Sequence, residues 1–236
     1  MFDERLAFYD LKVDPSNSNN PLTKFIHLIG PQKRVLEVGC ATGFLSEYLT
    51  RQLRCQVVGI ELNPEAARLA KQHCEEVIVG DVEKNALDRA KGLFDVITFG
   101  DVLEHLISPG VVLRRCKNCL APHGYILTSI PNVAHWSIRG HLMRGKFNYQ
   151  KGGILDRTHL RFFTLRTARR MIEEAGYDIV HFDIVYALPG MKANLSSKRL
   201  ERFLKKHFAG LIGVQFIFKA VSSLGSEDRR EHQGGV

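Results

Sequence analysis

Four acidic side chains stand at or just beyond the ends of short apolar runs in the first half of the chain: Glu37, Glu61, Asp81 and Asp101. Runs of this length and composition predict β-strands. Open α/β sheets bind their ligands at the carboxyl ends of the strands. A single acid at such a place is usually a solvated loop residue or a helix cap, but four of them in order predict one shared ligand site.

A loop of small residues follows the first apolar run, with Gly39, Ala41 and Gly43 at alternate positions. Glycine lacks the Cβ atom that would keep a ligand away from the backbone. The helical pattern that begins at Phe44 would also offer free N–H groups to a carboxylate or phosphate. A dinucleotide fingerprint would read Gly-x-Gly-x-x-Gly, and Phe44 stands where its third glycine belongs. A tight turn with no ligand is the alternative.

Together with Glu37, this loop resembles motif I of the class I S-adenosylmethionine-dependent methyltransferases, with Ala41 in place of the middle glycine. The resemblance implies that the loop passes under the methionine part of S-adenosylmethionine and that Glu37 helps to position its ammonium group. It also implies a ribose contact for Glu61, an adenine contact for Asp81, and a place beside the methionine moiety for Asp101. The implied cofactor site consists of Glu37, Gly39, Ala41, Gly43, Glu61, Leu62, Asp81, Val82, Asp101 and Val102.

Two further segments carry the resemblance. Residues 94–106 resemble the fourth-strand motif of methyltransferases that act on small molecules. Residues 153–164 resemble a segment of bacterial methyltransferases associated with glycan modification, a branch similar to the quinone-precursor O-methyltransferases. The implied reaction is methyl transfer to a small-molecule or glycan acceptor, at a hydroxyl oxygen. No Asn-Pro-Pro-Tyr-like motif follows the fourth run, which argues against methylation of nucleic-acid bases.

The alternation of strand and helix patterns predicts an α/β fold with a mostly parallel, Rossmann-like sheet covered by helices on both faces. Seven strands are expected, at about residues 34–38, 56–60, 76–79, 94–99, 124–130, 177–186 and 211–220. The last pair resembles the antiparallel end of the methyltransferase fold. We expect one domain over residues 1–221, with a substrate-side insertion at 131–163 and a disordered tail at 222–236. A helix at residues 22–29 would pack ahead of the first strand or form a flap over the cofactor.

The insertion at residues 131–163 is expected to choose the acceptor, because the cofactor loops occupy the ends of the first four strands. Histidine titrates near neutral pH, so His105, His135 and His159 are the candidate catalytic bases. A structural role is nevertheless the commoner one for any single histidine. His159 ranks first, because Arg157 and Arg161 would hold an anionic acceptor beside it and would lower its pKa. The alternative is that these charged residues order the loop through internal salt bridges.

The composition is that of a globular protein, with 44% hydrophobic and 25% charged residues among 236. The start of the chain shows no signal segment, and no apolar run approaches the ~20 residues of a membrane span. Five cysteines at scattered positions indicate a reducing, cytoplasmic compartment. A zinc or redox role for Cys116 and Cys119 is not expected, and no metal ligands are predicted. The net charge of +8 hints at an anionic partner without identifying one.

A basic helical pattern occupies residues 196–208, where Leu200, Phe203, Leu204 and Phe208 share one face. An amphipathic helix that covers the sheet is the simpler interpretation. Contact with a membrane surface or with a lipid-linked acceptor is the alternative, and it would place the protein at the inner face of the membrane.

Two other functions stay open from the sequence, a nicotinamide-dependent oxidoreductase and a non-catalytic S-adenosylmethionine-binding protein. The missing third glycine disfavours the first, and the complete set of four acids argues against the second. Nucleic acid is not expected as a partner, and the oligomeric state is not predicted.

Overall fold

The computed structural model describes residues 14–190 and 197–223. The predicted tail lies outside the described residues beyond Ser223, and Ser222 itself ends a strand. The helices are α1 (Pro21–Ile29), α2 (Phe44–Arg51), α3 (Pro64–Ala70), α4 (Pro109–Cys116), α5 (Trp136–Leu142), α6 (Leu165–Glu174) and α7 (Lys198–Ile212). The strands are β1 (Arg34–Val38), β2 (Gln56–Glu61), β3 (Glu76–Val79), β4 (Phe94–Gly100), β5 (Leu120–Pro131), β6 (Tyr177–Tyr186) and β7 (Gly213–Ser222).

The seven strands form one sheet in the order β3-β2-β1-β4-β5-β7-β6. Strands β1 to β5 pair in parallel, whereas β7 runs antiparallel to both of its neighbours, β5 and β6. The predicted seven-stranded Rossmann-like sheet with an antiparallel last strand is therefore confirmed.

Alternate residues of the central strands enter two separate hydrophobic cores, one on each face of the sheet. On β1, Leu36 and Val38 belong to one core and Val35 belongs to the other, together with Val57 of β2 and Val96 of β4. Side chains alternate between the two faces of a strand, and helices cover both faces of a parallel sheet. This double burial explains why the strands of the parallel half are almost continuously apolar.

The predicted boundaries are close for β1 to β4 and for β6, and less close for β5 and for β7, which begins at Gly213 instead of the predicted residue 211. Strand β5 begins before the predicted residue 124, because Leu120 already pairs with Phe94 of β4. Helix α5, inside the insertion, was not predicted; it is short, and the side chain of His135 caps its first turn. Helix α7 continues past the predicted end at Phe208, which lies at a kink.

Helix α1 is anchored in the body of the fold. The side chain of Asn20 caps its first turn, and Phe25, Ile26 and Ile29 are buried in the core that also contains Val35. Lys24 is buried and forms an ion pair with Asp183 of β6. The structure therefore shows this helix packed against the core ahead of the first strand.

Helix α7 covers the sheet with only part of its apolar face. Ala209 and Ile212 are buried and Leu204 packs against the core, whereas Leu200 is 46% and Phe203 is 53% exposed. The simpler interpretation of this helix therefore applies to its second half. None of the helices in the described part of the chain is long and apolar enough to cross a bilayer.

Strand β1 has β2 on one side and β4 on the other, so the chain leaves β1 in one direction and later returns on its other side. A crevice opens beyond the carboxyl ends of the strands at such a switch point, and it is where open α/β sheets bind ligands. The sheet order thus places the ends of β1, β2 and β4 around one candidate site.

Asn132 attaches the start of the insertion (residues 131–163) to α7 and β7. Its buried side chain donates hydrogen bonds to the carbonyl oxygens of Gly210 (3.1 Å) and Gly213 (2.7 Å), and it accepts one from the N–H of Ala134. Its own N–H donates to Val214 of β7. These hydrogen bonds therefore fix the position of the first residues of the insertion.

We expect Asn132→Ala to lower the free energy of unfolding by about 2–4 kcal/mol, since each buried polar group left unpaired costs roughly 1–3 kcal/mol. Urea denaturation followed by circular dichroism measures the change. Asn118→Ala, at an exposed position after α4, is the matched control and should stay near wild type. Equal midpoints for the two variants would contradict the anchoring role of Asn132.

Candidate active site

The loop between β1 and α2 is built from residues in left-handed backbone conformations. Gly39, Ala41 and Gly43 have φ values of +73°, +50° and +85°. A Cβ atom at Gly39 would lie 2.6 Å from Cγ2 of Val102, and one at Gly43 would lie 2.9 Å from Cα of Ala70. Glycine is therefore required at both positions by conformation and by space, whereas Ala41 adopts the left-handed region with a side chain.

Hydrogen bonds from the end of β2 hold this loop. The N–H of Gly39 donates to the carbonyl oxygen of Ile60 at 2.8 Å. The carboxylate of Glu61 accepts from the N–H of Ala41 at 2.9 Å and, with its other oxygen, from the N–H of Asn63 at 2.8 Å. In the structure, Glu61, which is predicted as a ribose ligand, stabilises the loop and the start of α3.

Glu37 is buried beneath the same loop. It accepts a hydrogen bond from the hydroxyl of Ser46 on α2 at 2.5 Å. Burial raises the pKa of Glu37 to about 8, and the hydrogen bond from Ser46 opposes part of that rise. Without a positive partner, a carboxyl group in this position is mostly protonated at neutral pH.

A cavity of about 130 Å³ opens beside Glu37 and crosses the switch point from β1 to β4. The hydroxyl of Thr98 is buried and has no hydrogen-bond partner among the described residues. The wall combines the start of α1, the glycine-rich loop and the strand ends; it includes Asn20, Pro21, Leu22, Phe25, Glu37, Gly39, Phe44, Leu45, Thr98, Gly100, Asp101 and Ser129.

Asp101 lies at the end of β4 with φ +54°. One oxygen of its carboxylate accepts from the hydroxyl of Ser129 at 3.0 Å and from the side-chain amide of Gln215 at 2.6 Å. The next residue, Val102, packs against Gly39. The structure therefore brings Asp101 and Val102 to the same edge as the loop, as predicted.

The remaining predicted cofactor residues lie at the outer part of the edge. Leu62, just after β2, is 69% exposed, and Val82, after β3, is buried. The carboxylate of Asp81 accepts from the N–H of Glu83 at 2.9 Å. These positions follow the ends of β2 and β3 and are not among the residues that line the cavity.

His135 is held in a structural position. Its Nδ1 accepts from the first turn of α5, and its Nε2 lies 3.3 Å from the carbonyl oxygen of Ala187. Burial lowers the pKa of His135. Because both ring nitrogens are engaged in these contacts, the geometry does not favour His135 as the catalytic base.

The other two candidate bases meet Glu104. The rings of His105 and His159 lie 4.8 Å apart at their centroids, and Nε2 of His159 lies 3.9 Å from a carboxylate oxygen of Glu104. We refer to Glu104, His105 and His159 as the imidazole–carboxylate cluster. Glu104 is 0% exposed, and among the described residues neither of its carboxylate oxygens has a hydrogen-bond partner. Burial raises the pKa of Glu104 well above its usual range.

The predicted cause of a lowered pKa at His159 is wrong. Its pKa is lowered, first by burial and then by the neighbouring His105, not by the flanking arginines. The guanidinium of Arg161 instead donates to the carbonyl oxygen of Ile107. The carboxylate of Asp156 accepts from Thr158, so backbone-directed hydrogen bonds order this loop.

Several residues at the site were not predicted from the sequence. Asn20, Thr98 and Ser129 line the cavity, and Glu104 forms the centre of the imidazole–carboxylate cluster. Of these residues, only Glu104 had a sequence signal for a functional role, because it stands next to the candidate base His105 within residues 94–106. The other three are small polar residues whose proximity depends on the sheet.

A family model described as a methyltransferase domain matches residues 16–182 of this chain. The chain belongs to this family, and its sheet and loop are those of the class I S-adenosylmethionine-dependent methyltransferases. The predicted class of enzyme and the predicted cofactor are thereby confirmed, and the nicotinamide-dependent alternative is set aside.

Solved structures agree on the fold. A SAM-dependent methyltransferase from Archaeoglobus fulgidus superposes with a TM-score of 0.64 at 18% identity, over 92% of this chain and 99% of that one. Magnesium protoporphyrin IX methyltransferase from Synechocystis PCC 6803, with bound SAH, gives a TM-score of 0.59 at 14% identity, over 93% and 92%.

Curated relatives match over a shorter stretch. The ubiquinone biosynthesis O-methyltransferase of Burkholderia lata is 39% identical over 111 residues, which cover 45% of this chain and 47% of that protein. The protein of the same name from Xanthomonas axonopodis pv. citri is 39% identical over 105 residues, 42% of this chain and 43% of that protein. The chain thus spans about half the length of the curated relatives it matches.

The residues at this edge fit S-adenosylmethionine. A Cβ atom at Gly39 or Gly43 would crowd the loop, and the buried Glu37 and the unpartnered hydroxyl of Thr98 both line the cavity. Glu61 stands at the end of β2, where a ribose would be met. The cofactor supplies a methyl group that its sulfonium charge has already activated. The roles of the individual residues stay predictions.

We expect binding of S-adenosylmethionine at pH 7 to release a proton from Glu37. Its raised pKa leaves the free carboxyl mostly protonated, and a nearby ammonium group favours the ionised form. The release should fall as pH rises through about 8, because the free carboxyl is then already ionised. Calorimetric titration in buffers of different ionisation enthalpy measures it. Undiminished release by Glu37→Gln would refute the assignment.

The loop conformation predicts opposite effects for two matched substitutions. Ala41→Gly should leave the protein equally or more stable, since a left-handed residue with a Cβ costs about 1–2 kcal/mol. Gly39→Ala should destabilise it by about 1–3 kcal/mol, because the new methyl group meets Val102 at a positive φ. Thermal and urea denaturation give both values. A stability loss for Ala41→Gly as large as that for Gly39→Ala would contradict this account.

Proposed function

We propose that the chain transfers the methyl group of S-adenosylmethionine to a hydroxyl oxygen of a small-molecule acceptor held between the cofactor edge and the insertion. The observation that carries this proposal is the imidazole–carboxylate cluster. It joins the segment after β4, close to Asp101, with His159 of the insertion. Groups that can take up a proton therefore stand beside the cofactor edge, which is what a hydroxyl acceptor requires.

The contacts between the insertion and the β4 segment support an enclosed acceptor site. The N–H groups of Leu160 and Arg161 donate to the carbonyl oxygen of Glu104 at 2.8 and 2.9 Å. Nδ1 of His105 lies 3.2 Å from the carbonyl oxygen of Thr158. Because these bonds tie the insertion to the end of β4, it can exclude water from an acceptor there.

The aromatic surface of the insertion favours a flat, partly apolar acceptor over a sugar. Phe147, Tyr149 and Phe162 form a ring cluster with centroid distances of 5.6–6.3 Å, and Phe162 lies 6.2 Å from His159. Curated relatives are named ubiquinone biosynthesis O-methyltransferase, which supports a phenolic acceptor. A glycan acceptor rests on the resemblance of residues 153–164. A lipid-linked acceptor is supported only by the exposed apolar residues of α7.

The chain's own residues perform three tasks in this reaction. The glycine-rich loop, Glu37 and Glu61 bind and orient the cofactor, and the insertion aligns the hydroxyl with the methyl group. Alignment of this kind supplies up to roughly 7–11 kcal/mol of the barrier in favourable cases. His105 is half-buried and more accessible than His159, which is 9% exposed, so the acceptor meets the cluster at His105. Removal of the proton there adds ~10²–10⁴-fold.

A panel of three acceptor types tests the reaction class. The purified chain is incubated with S-adenosylmethionine and a catechol-type phenol, a neutral hexose or a primary amine, and mass spectrometry follows product and S-adenosylhomocysteine. We expect a methyl ether of the phenol. Methylation of the amine alone would overturn the proposal, and methylation of the hexose alone would replace the phenol by a glycan.

Replacing His105 should separate catalysis from cofactor binding. His105→Ala is expected to lower turnover by ~10²–10⁴-fold and to leave the affinity for S-adenosylmethionine little changed. His181→Ala, at an exposed position on β6, is the matched control. Near-normal turnover in His105→Ala would mean that the cluster takes no part in proton transfer.

A further inference from the structure

Glu104 poses a problem that the proposed methyl transfer does not solve. Its carboxyl group is fully buried and, among the described residues, neither oxygen has a hydrogen-bond partner. Burial of a carboxylate without a partner is costly. Buried polar groups are nearly always paired, and a bound ion is one recognised explanation for an exception.

The two neighbouring imidazoles are oriented like metal ligands. Nδ1 of His105 lies 3.2 Å from the carbonyl oxygen of Thr158, and Nδ1 of His159 lies 3.1 Å from that of Ile154. A carbonyl oxygen only accepts, so each ring makes this bond as an Nδ1–H donor. The neutral ring then carries its lone pair on Nε2. Metal-binding histidines characteristically donate their other N–H to such a carbonyl group.

The three donor groups are close enough to share one ion. One ligand atom from each of Glu104, His105 and His159 lies within 4.8 Å of the others, and Nε2 of His159 is 3.9 Å from Oε1 of Glu104. Bonds of about 2.0–2.2 Å to a common ion require these side chains to move closer together around it.

We propose that Glu104, His105 and His159 bind a divalent first-row transition-metal ion of the zinc and manganese class. Two imidazole nitrogens and one carboxylate oxygen form a borderline donor set, which suits these ions better than calcium or magnesium. Three protein ligands leave coordination positions open, as catalytic metal sites do.

The position of the site gives the ion a definite task. Glu104 and His105 follow β4 at the cofactor edge, and His159 belongs to the insertion, so the ion would cross-link the two sides of the acceptor site. If the proposed methyl transfer holds, an acceptor hydroxyl bound at an open position would lose its proton more readily, because the cation stabilises the oxyanion. The cluster would then act on the acceptor through the ion instead of as a bare base.

A shared proton is the competing explanation. In that case Glu104 is protonated and donates to Nε2 of His159, and no ion is needed. The two explanations differ in a direct observable, which is metal binding in the absence of cofactor and acceptor.

The test uses the full chain without a polyhistidine tag, treated with a chelator and then titrated calorimetrically with Mn²⁺ and, separately, with Zn²⁺. We expect one ion per chain. Co²⁺ added to the same protein should give the visible absorption of a site with imidazole ligands. Glu104→Gln and His159→Ala should each weaken binding by at least about 10–100-fold, the loss seen even for outer partners of metal sites.

Matched controls are Glu76→Gln and His181→Ala, at exposed positions on β3 and β6, and both should bind as wild type does. Glu104→Gln preserves side-chain size, and circular dichroism checks that it folds. Stoichiometry near zero in wild type, or equal affinity in all four variants, would overturn the metal site in favour of the shared proton. Because binding is measured without acceptor, metal binding without phenol methylation would refute only the proposed function. Methylation that survives chelation, with no ion bound, would refute only the metal site.

Discussion

The backbone of the loop between β1 and α2 is the constraint on which the rest of the site depends. Three of its five residues have positive φ values, a conformation that costs free energy wherever a side chain is present. Hydrogen bonds to Ile60 and Glu61 of β2 hold it in place. Because β2 is itself fixed by parallel pairing with β1, the sheet order and the loop conformation stabilise each other.

Two buried acids belong to the site, one beneath the glycine-rich loop and one in the segment after β4. Glu37 lies under the loop and accepts one hydrogen bond from a hydroxyl, and Glu104 lies beneath the insertion with no hydrogen-bond partner among the described residues. Burial raises the pKa of both. Since an uncharged carboxyl group becomes ionised when a cation approaches, both side chains would respond to a positive partner, which is the basis of the predicted ammonium contact at Glu37 and of the proposed ion at Glu104.

The insertion is held to the rest of the fold by hydrogen bonds near both of its ends. Asn132 attaches its start to β7 and α7, and Leu160 and Arg161 attach its end to Glu104. Between these points lie α5 and the aromatic ring cluster. The segment is thus held at both ends, at its start by the side chain and N–H of Asn132 and at its end by the N–H groups of Leu160 and Arg161.

The sequence by itself determined the order and type of the elements in the parallel half and the acids at their ends. Strand and helix periodicity, and the glycine spacing at Gly39 and Gly43, are local properties of the chain. It did not reveal α5, the burial of Glu104 without a hydrogen-bond partner in the described part of the chain, or the engagement of His135 with Ala187. Those features, like the meeting of Thr98 with Asn20 around one cavity, were decided only by the tertiary structure. They arise where segments far apart in sequence approach through space, and that approach depends on the packing of the whole sheet.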